Sequence, residues 1–124
     1  MPKVLIIDDS SVMRKMIQRN IQQSGLMVDS FVEAGDGKEA LAKIAADSSI
    51  DLILCDWNMP NMTGIEFVKA LRGSGNQTPI IMCTTEGSDA KVVEATGSGA
   101  NGYITKPFTP DQLKTKLGAF LQIK

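Results

Sequence analysis

Three carboxylates, one ammonium and one hydroxyl carry the chemistry open to this chain. Asp8 and Asp9 follow the apolar run Val4-Leu5-Ile6-Ile7, and Asp56 follows Leu52-Ile53-Leu54-Cys55. Thr84 follows Ile80-Ile81-Met82-Cys83, and Lys106 follows Tyr103-Ile104-Thr105. Each stands at the C-terminal end of a stretch that reads as a buried strand, the edge at which open parallel sheets bind ligands. Three carboxylates in one cleft repel one another, so without a cation at least one holds its proton more tightly. A hard divalent ion bound through oxygen relieves that repulsion, and Mg²⁺ suits a site with few protein ligands and several waters. Lys106 is a point charge that can pair with Asp56 or with an incoming anion. Such a cleft, with a threonine hydroxyl beside it, can hold a phosphoryl group, and a carboxylate there can act as nucleophile and form an aspartyl-phosphate. Singly these residues say little. An Asp at a strand end often only caps the next helix, a strand-end Thr is ordinary, and a Lys before Pro is usually solvated. Their arrival together at one sheet edge is what points to a site.

Other chemistry is excluded by composition. The 124 residues contain no histidine, which removes Ser-His-Asp and Cys-His catalysis, imidazole metal sites and a phosphohistidine carrier within the chain. Two cysteines, Cys55 and Cys83, are too few for a thiolate zinc site and suggest a reducing compartment. Both read as small buried apolar residues. Thirteen basic against fourteen acidic side chains lack the basic balance of a nucleic-acid binder. No apolar run approaches bilayer length, and the N-terminus does not read as a signal peptide. A cytoplasmic location, without membrane insertion, is expected.

The elements that must position the five residues alternate strand and helix. Strands are expected at Lys3 to Asp8, near Ser30 to Ala34, at Asp51 to Cys55 with its end at Asp56, at Pro79 to Thr84 and at Asn101 to Thr105. The first helix starts at a Ser10 or Ser11 cap and stops at Gly25, with Val12, Met16, Ile17 and Ile21 inward and Arg14, Lys15, Gln18, Arg19 and Gln22 toward water. Asp36 caps the second, whose stripe is Ala40, Leu41 and Ile44. Thr63-Gly64-Ile65-Glu66 is a capping box for the third. The fourth, near Ser88 to Ser98, is weakly specified, with valines, a threonine and Gly97 inside it. Thr109-Pro110-Asp111-Gln112 starts the fifth, which buries Leu113, Leu117, Phe120 and Leu121. Trp57 is expected to be partly exposed beside the site, and Tyr103 to be core or partner surface. Five alternations imply an α/β fold, a parallel sheet with helices on both faces, in a single domain over 1–124.

Ile7-Asp8-Asp9-Ser10, the segment from Asp56 to Gly64 (Asp-Trp-Asn-Met-Pro-Asn-Met-Thr-Gly), Met82-Cys83-Thr84-Thr85-Glu86 and Gly102-Tyr103-Ile104-Thr105-Lys106-Pro107-Phe108-Thr109 resemble bacterial response-regulator receiver domains, in that family's order and spacing. The single-domain chemotaxis regulators are the most similar. The resemblance implies a doubly wound (βα)5, flavodoxin-like five-stranded sheet in the order 2-1-3-4-5. It implies that Asp56 is the phosphoacceptor and that Asp9 and Asp56 bind Mg²⁺ (for which Mn²⁺ can substitute) through their side chains. Asn58 would bind it through its main-chain carbonyl, and Asp8 mainly through water. Lys106 would contact the phosphoryl group, Thr84 would move to hydrogen-bond it, and Tyr103 would shift in step. Asn58 and Glu86 would tune autodephosphorylation, and Lys106-Pro107 would be a cis peptide. Helix four, strand five and helix five would be the output surface. Ser10, Thr63 and Thr85 differ from the residues the family commonly carries there.

The function implied is a signalling switch, not an enzyme turning over an external substrate. A histidine kinase would phosphorylate Asp56, and the phosphorylated monomer would bind a protein target such as the flagellar motor switch, with a phosphatase as a further partner. A phosphorelay intermediate or phosphate sink would use the same site. A Mg²⁺-dependent aspartyl phosphohydrolase is disfavoured because no substrate-specificity insertion is present. A flavin module is disfavoured because the first loop opens with two aspartates, which repel phosphate.

Overall fold

The computed structural model describes residues 2–57, 59–85, 89–106 and 108–121. Ten elements alternate along the chain: β1 (Lys3–Ile7), α1 (Ser11–Ser24), β2 (Ser30–Ala34), α2 (Gly37–Ala46), β3 (Leu52–Asp56), α3 (Gly64–Gly73), β4 (Ile80–Thr84), α4 (Asp89–Ser98), β5 (Gly102–Thr105) and α5 (Pro110–Leu117). The strands form one parallel sheet in the order β2-β1-β3-β4-β5. The chain winds outward from β1 to β2, then crosses back to β3 on the other side of β1. That reversal opens a crevice beyond the carboxyl ends of β1 and β3.

Strand alternation divides the core. Leu5, Ile7, Ile53, Cys55, Ile80 and Met82 share a cluster with Ala40 and Ile44 of α2, Phe67, Val68 and Leu71 of α3, and Ala95 of α4. Their neighbours Val4, Ile6, Leu52, Leu54, Ile81 and Cys83 meet Ile17 and Ile21 of α1 and Leu113 and Leu117 of α5. The central strands bury both faces, which is why their sequences read as unbroken apolar runs. Among the described residues, no helix is long and apolar enough to cross a membrane.

The helix ends follow local chemistry. Ser10 accepts from the Met13 amide at 3.2 Å, and Gly25 ends α1 at φ 87°. Asp36 accepts from the Glu39 amide at 2.8 Å, and Thr63 and Thr109 close reciprocal capping boxes with Glu66 and Gln112. These side chains satisfy backbone donors that a helix start leaves unpaired.

Two helix faces differ from expectation. Val12 is 68% and Met16 51% exposed. The buried stripe of α1 runs instead through Met13, Ile17 and Ile21 to Ser24, an equally good helical spacing rotated by about one residue. Arg14, expected in water, is half-buried. In the last segment α5 ends at Leu117, so Phe120 lies in a turn and is exposed, while Leu121 is buried.

Candidate functional site

The carboxyl ends of β1, β3, β4 and β5 bring the five predicted residues to one edge. Asp8 directly follows β1 and its amide donates to Ala34 O at 3.1 Å, extending the strand pairing by one residue. Its side chain is buried and accepts from the Ser10 amide at 2.9 Å through Oδ1. Asp9, next in the chain, is exposed. Asp56 ends β3 opposite Cys83, with the Trp57 amide donating to Cys83 O. Lys106 continues β5, its amide donating to Thr84 O at 2.6 Å. Thr84 ends β4, buried at the same level.

Lys106 Nζ lies 2.9 Å from Asp8 Oδ2 and 3.1 Å from Asp56 Oδ1. One mostly buried ammonium thus bridges two mostly buried carboxylates. Burial works against its charge, but the Asp8 hydrogen bond and the charges of Asp56 and Asp8 outweigh it, and its pKa is raised. Asp56 is also raised: burial is the main cause, the Asp8 charge adds to it, and Lys106 offsets only part. A carboxyl oxygen from each of Asp8, Asp9 and Asp56 lies within 4.8 Å of the others. An all-oxygen, multiply anionic donor set at that spacing fits a hard divalent cation.

The β3–α3 connection is shaped for this edge. Gly64 donates to Trp57 O at 2.9 Å, and a Cβ there would stand 2.4 Å from Asp56 O. Asn61 has φ 68°, the left-handed conformation that Asn tolerates better than most residues. Its Nδ2 donates to Asp36 Oδ2 at 3.0 Å, and Met62 packs over Gly37.

Of the remaining predicted residues, Tyr103 sits in β5 opposite Met82, partly buried against the core, with Lys116 Nζ 4.9 Å from its ring centre. An open cleft of about 340 Å³ runs between β5 and α5 there, lined by Tyr103, Asp111, Thr115 and Lys116 among others. Asn58, Glu86 and Pro107, with the ligand, tuning and cis-peptide expectations placed on them, lie outside the described residues. Trp57, expected to be partly exposed, is buried at 8%, because the residue after Asp56 turns inward to the cluster of Cys55, Met59 and Ile65. Cys55 and Cys83 are buried as expected; burial raises both thiols, Cys83 to about 12. Sequence spacing missed the ties from Asn61 to Asp36 and from Arg14 to Glu33 and the Asp8 main chain. The only local signal was an Asn in a loop where a left-handed turn was needed.

Residues 4–118 match the response regulator receiver domain family. The chain is 43% identical to chemotaxis protein CheY1 of Helicobacter pylori over 121 residues, 96% of each chain. It is 44% identical to the CheY homolog of Campylobacter jejuni over 117 residues, 93% of this chain and 88% of that protein. The solved structure of CheY4 from Vibrio cholerae superposes with a TM-score of 0.86 at 44% identity, over 98% of this chain and 99% of that one. With its acidic strand ends, strand order and Lys106 bridge, this chain belongs to the response regulator receiver domain family and is closely related to the CheY chemotaxis regulators.

Proposed function

We propose that the chain is a phosphorylation switch whose phosphoacceptor is Asp56 and whose cofactor is Mg²⁺, held by Asp9 and Asp56 with Asp8 behind them. The observation that carries this reading is the Lys106 ammonium between Asp8 and Asp56, at 2.9 and 3.1 Å. A nucleophilic carboxylate needs a cation at hand for the charge that arrives with a phosphoryl group, and Lys106 is already there.

In this reading an Asp56 oxygen attacks the phosphorus of a phosphohistidine on a histidine kinase. The new P–O bond forms as the P–N bond breaks, and the imidazole nitrogen leaves with its electron pair. When bound, Mg²⁺ offsets the phosphoryl charge in the transition state. Lys106 then exchanges its Asp56 contact for a phosphoryl oxygen, and the Thr84 hydroxyl donates to another. Both groups gain a contact only in the phosphorylated state, so both bias the protein toward it. The displacement passes along β4 and β5 to Tyr103 and the surface of α4, β5 and α5, where a protein target binds. The chemotaxis assignment of the relatives favours a flagellar motor component as that target. Water attack on the acyl phosphate restores Asp56 and releases phosphate.

The test uses beryllium fluoride, which mimics a phosphoryl group on a carboxylate. With Mg²⁺, ¹⁹F NMR of the wild-type protein should show a protein-bound beryllofluoride signal that is lost in Asp56→Asn. No bound signal with Mg²⁺ present overturns the reading. A signal that survives Asp56→Asn moves the acceptor elsewhere.

A further inference from the structure

We propose that Arg14 is a positioning residue for the acidic pair Asp8 and Asp9, and that through it the edge strand β2 sets the divalent-cation affinity of the site. The inference rests on the receiver reading above. Arg14 Nη1 donates to the main-chain oxygen of Asp8 at 2.6 Å, and its Nε donates to Glu33 Oε1 at 2.9 Å. The side chain is 18% exposed, so the fork is held between two partners rather than waving in water. Glu33 lies in β2 opposite Ile6 of β1 and is also paired with Lys15 at 2.7 Å.

The bond that Arg14 holds has a particular place. The Asp8 carbonyl belongs to the peptide plane joining Asp8 to Asp9, and that plane is rigid. Its orientation therefore fixes where the Asp9 side chain departs. At the other side of Asp8, its amide donates to Ala34 O in β2. The acidic residue is thus tied to β2 twice, once directly and once through Arg14 and Glu33. Lys15 and then Arg14 hold the Glu33 carboxylate ionised, with its pKa lowered to about 2 despite some opposing desolvation, so this anchor persists throughout the neutral range. A guanidinium presents Nε and Nη donors in one rigid fork, and a lysine ammonium at the same position cannot reproduce that geometry.

Charge and geometry predict opposite signs. As a mere positive charge near three carboxylates, Arg14 opposes a bound cation, and removing it strengthens binding. As a positioning residue it supports the ligands, and removing it weakens binding. Isothermal titration with Mg²⁺ on the wild type, Arg14→Lys, Arg14→Ala and Glu33→Ala separates the two, with folding of each variant checked by circular dichroism at the titration temperature. Arg14→Lys keeps the charge and loses the fork; it and Arg14→Ala should each bind Mg²⁺ roughly ten-fold or more weakly, the scale typical of groups that orient metal ligands. Glu33→Ala should weaken binding too, and the loss should persist at high salt, where long-range charge effects are screened. Arg14→Lys matching the wild type, or Arg14→Ala binding more tightly, overturns the positioning role. A Glu33→Ala loss that vanishes with salt overturns the link to β2. If Arg14→Ala does not fold, Arg14→Lys still decides. A wild type that binds no Mg²⁺ brings down the receiver reading and this inference together; a wild type that binds, with Arg14→Lys unchanged, brings down this inference alone.

Discussion

Lys106 Nζ stands 3.1 Å from Asp56 Oδ1, yet the Asp56 carboxyl still holds its proton more tightly than a free aspartate. Burial, with Asp8 adding to it, outweighs the lysine. A folded-state pKa raised above the unfolded value of 3.8 means the native protein binds that proton more tightly than the unfolded chain. The stability it lends is full below the unfolded pKa and is lost as pH rises through the folded one. At neutral pH, ionised Asp56 therefore costs stability. Asp56→Asn should melt higher than the wild type at neutral pH without divalent cations, and the difference should close as pH falls into the ordinary aspartate range. Thermal melts from about pH 3 to about pH 8 check this; a variant that melts lower at neutral pH contradicts it.

In the proposed reading, Lys106 and a divalent cation compete for the same oxygens, Asp8 Oδ2 and Asp56 Oδ1. Replacing Lys106 by Met leaves Asp8, Asp9 and Asp56 with no ammonium between them. One charge at these distances is worth about 4 kcal/mol at an effective dielectric of roughly 20, before relaxation is allowed for. Mg²⁺ affinity should therefore rise by roughly ten-fold or more, while the beryllofluoride adduct weakens because its own cation is gone. Titration calorimetry and ¹⁹F NMR on the same variant read the two effects. A Mg²⁺ affinity that does not rise would mean that Lys106 does not compete with the cation, and an adduct that does not weaken would mean that it does not support the phosphoryl group.

At Gly64 the close approach of backbone to backbone leaves no room for a side chain. A Cβ would stand 2.4 Å from Asp56 O and 2.6 Å from the Met82 methyl. The methionine can move, but the Asp56 carbonyl belongs to the strand that delivers the proposed acceptor. Gly64→Ala should cost about 1–3 kcal/mol, as overpacking usually does, and should also weaken the beryllofluoride adduct. Gly73, at the end of the same helix, has open space around its Cβ position, so Gly73→Ala should leave the melting temperature unchanged or slightly raised. Equal losses in the two variants would show that the contact at Asp56 is not what matters.

Much of this arrangement is legible in the sequence because it depends on local pattern. The runs at Val4-Leu5-Ile6-Ile7 and Ile80-Ile81-Met82-Cys83 announce strands covered on both faces, and a parallel sheet puts their polar ends on one edge. Thr63 and Thr109 announce helix starts because a capping box needs only residues three apart. The phase of α1 was not legible: stripes through Val12 and Met16 or through Met13 and Ile17 both satisfy a 3.6-residue period, and only packing against α5 and the sheet selects the second. Trp57 faced the same ambiguity beside a polar residue. Arg14 reaching Asp8 O and Glu33, and Asn61 reaching Asp36, depend on where separate elements meet, which no local spacing records.

Asn61 holds the β3–α3 connection to the start of α2 in two ways that mutation can separate. Its backbone is left-handed at φ 68°, a conformation that costs a residue with an ordinary side chain about 1–2 kcal/mol. Its amide also donates to Asp36, whose other oxygen caps α2. Asn61→Gly keeps the backbone and loses the hydrogen bond, which is worth about 0.5–1.5 kcal/mol. Asn61→Ala loses the bond and adds the backbone strain. Thermal melts should therefore rank the wild type first, Asn61→Gly second and Asn61→Ala last. Because the connection begins at the residue after Asp56, Asn61→Ala should also lower the fraction of protein carrying beryllofluoride at a fixed Mg²⁺ concentration. Asp36→Ala, which removes the same hydrogen bond from the other side, should lower it in the same direction while destabilising α2 by about 0.5–2 kcal/mol through the lost cap. An Asn61→Ala protein as stable as Asn61→Gly would mean the backbone relaxes out of the left-handed region. Unchanged adduct in both Asn61→Ala and Asp36→Ala would mean that the tie to α2 supports the loop without positioning Asp56.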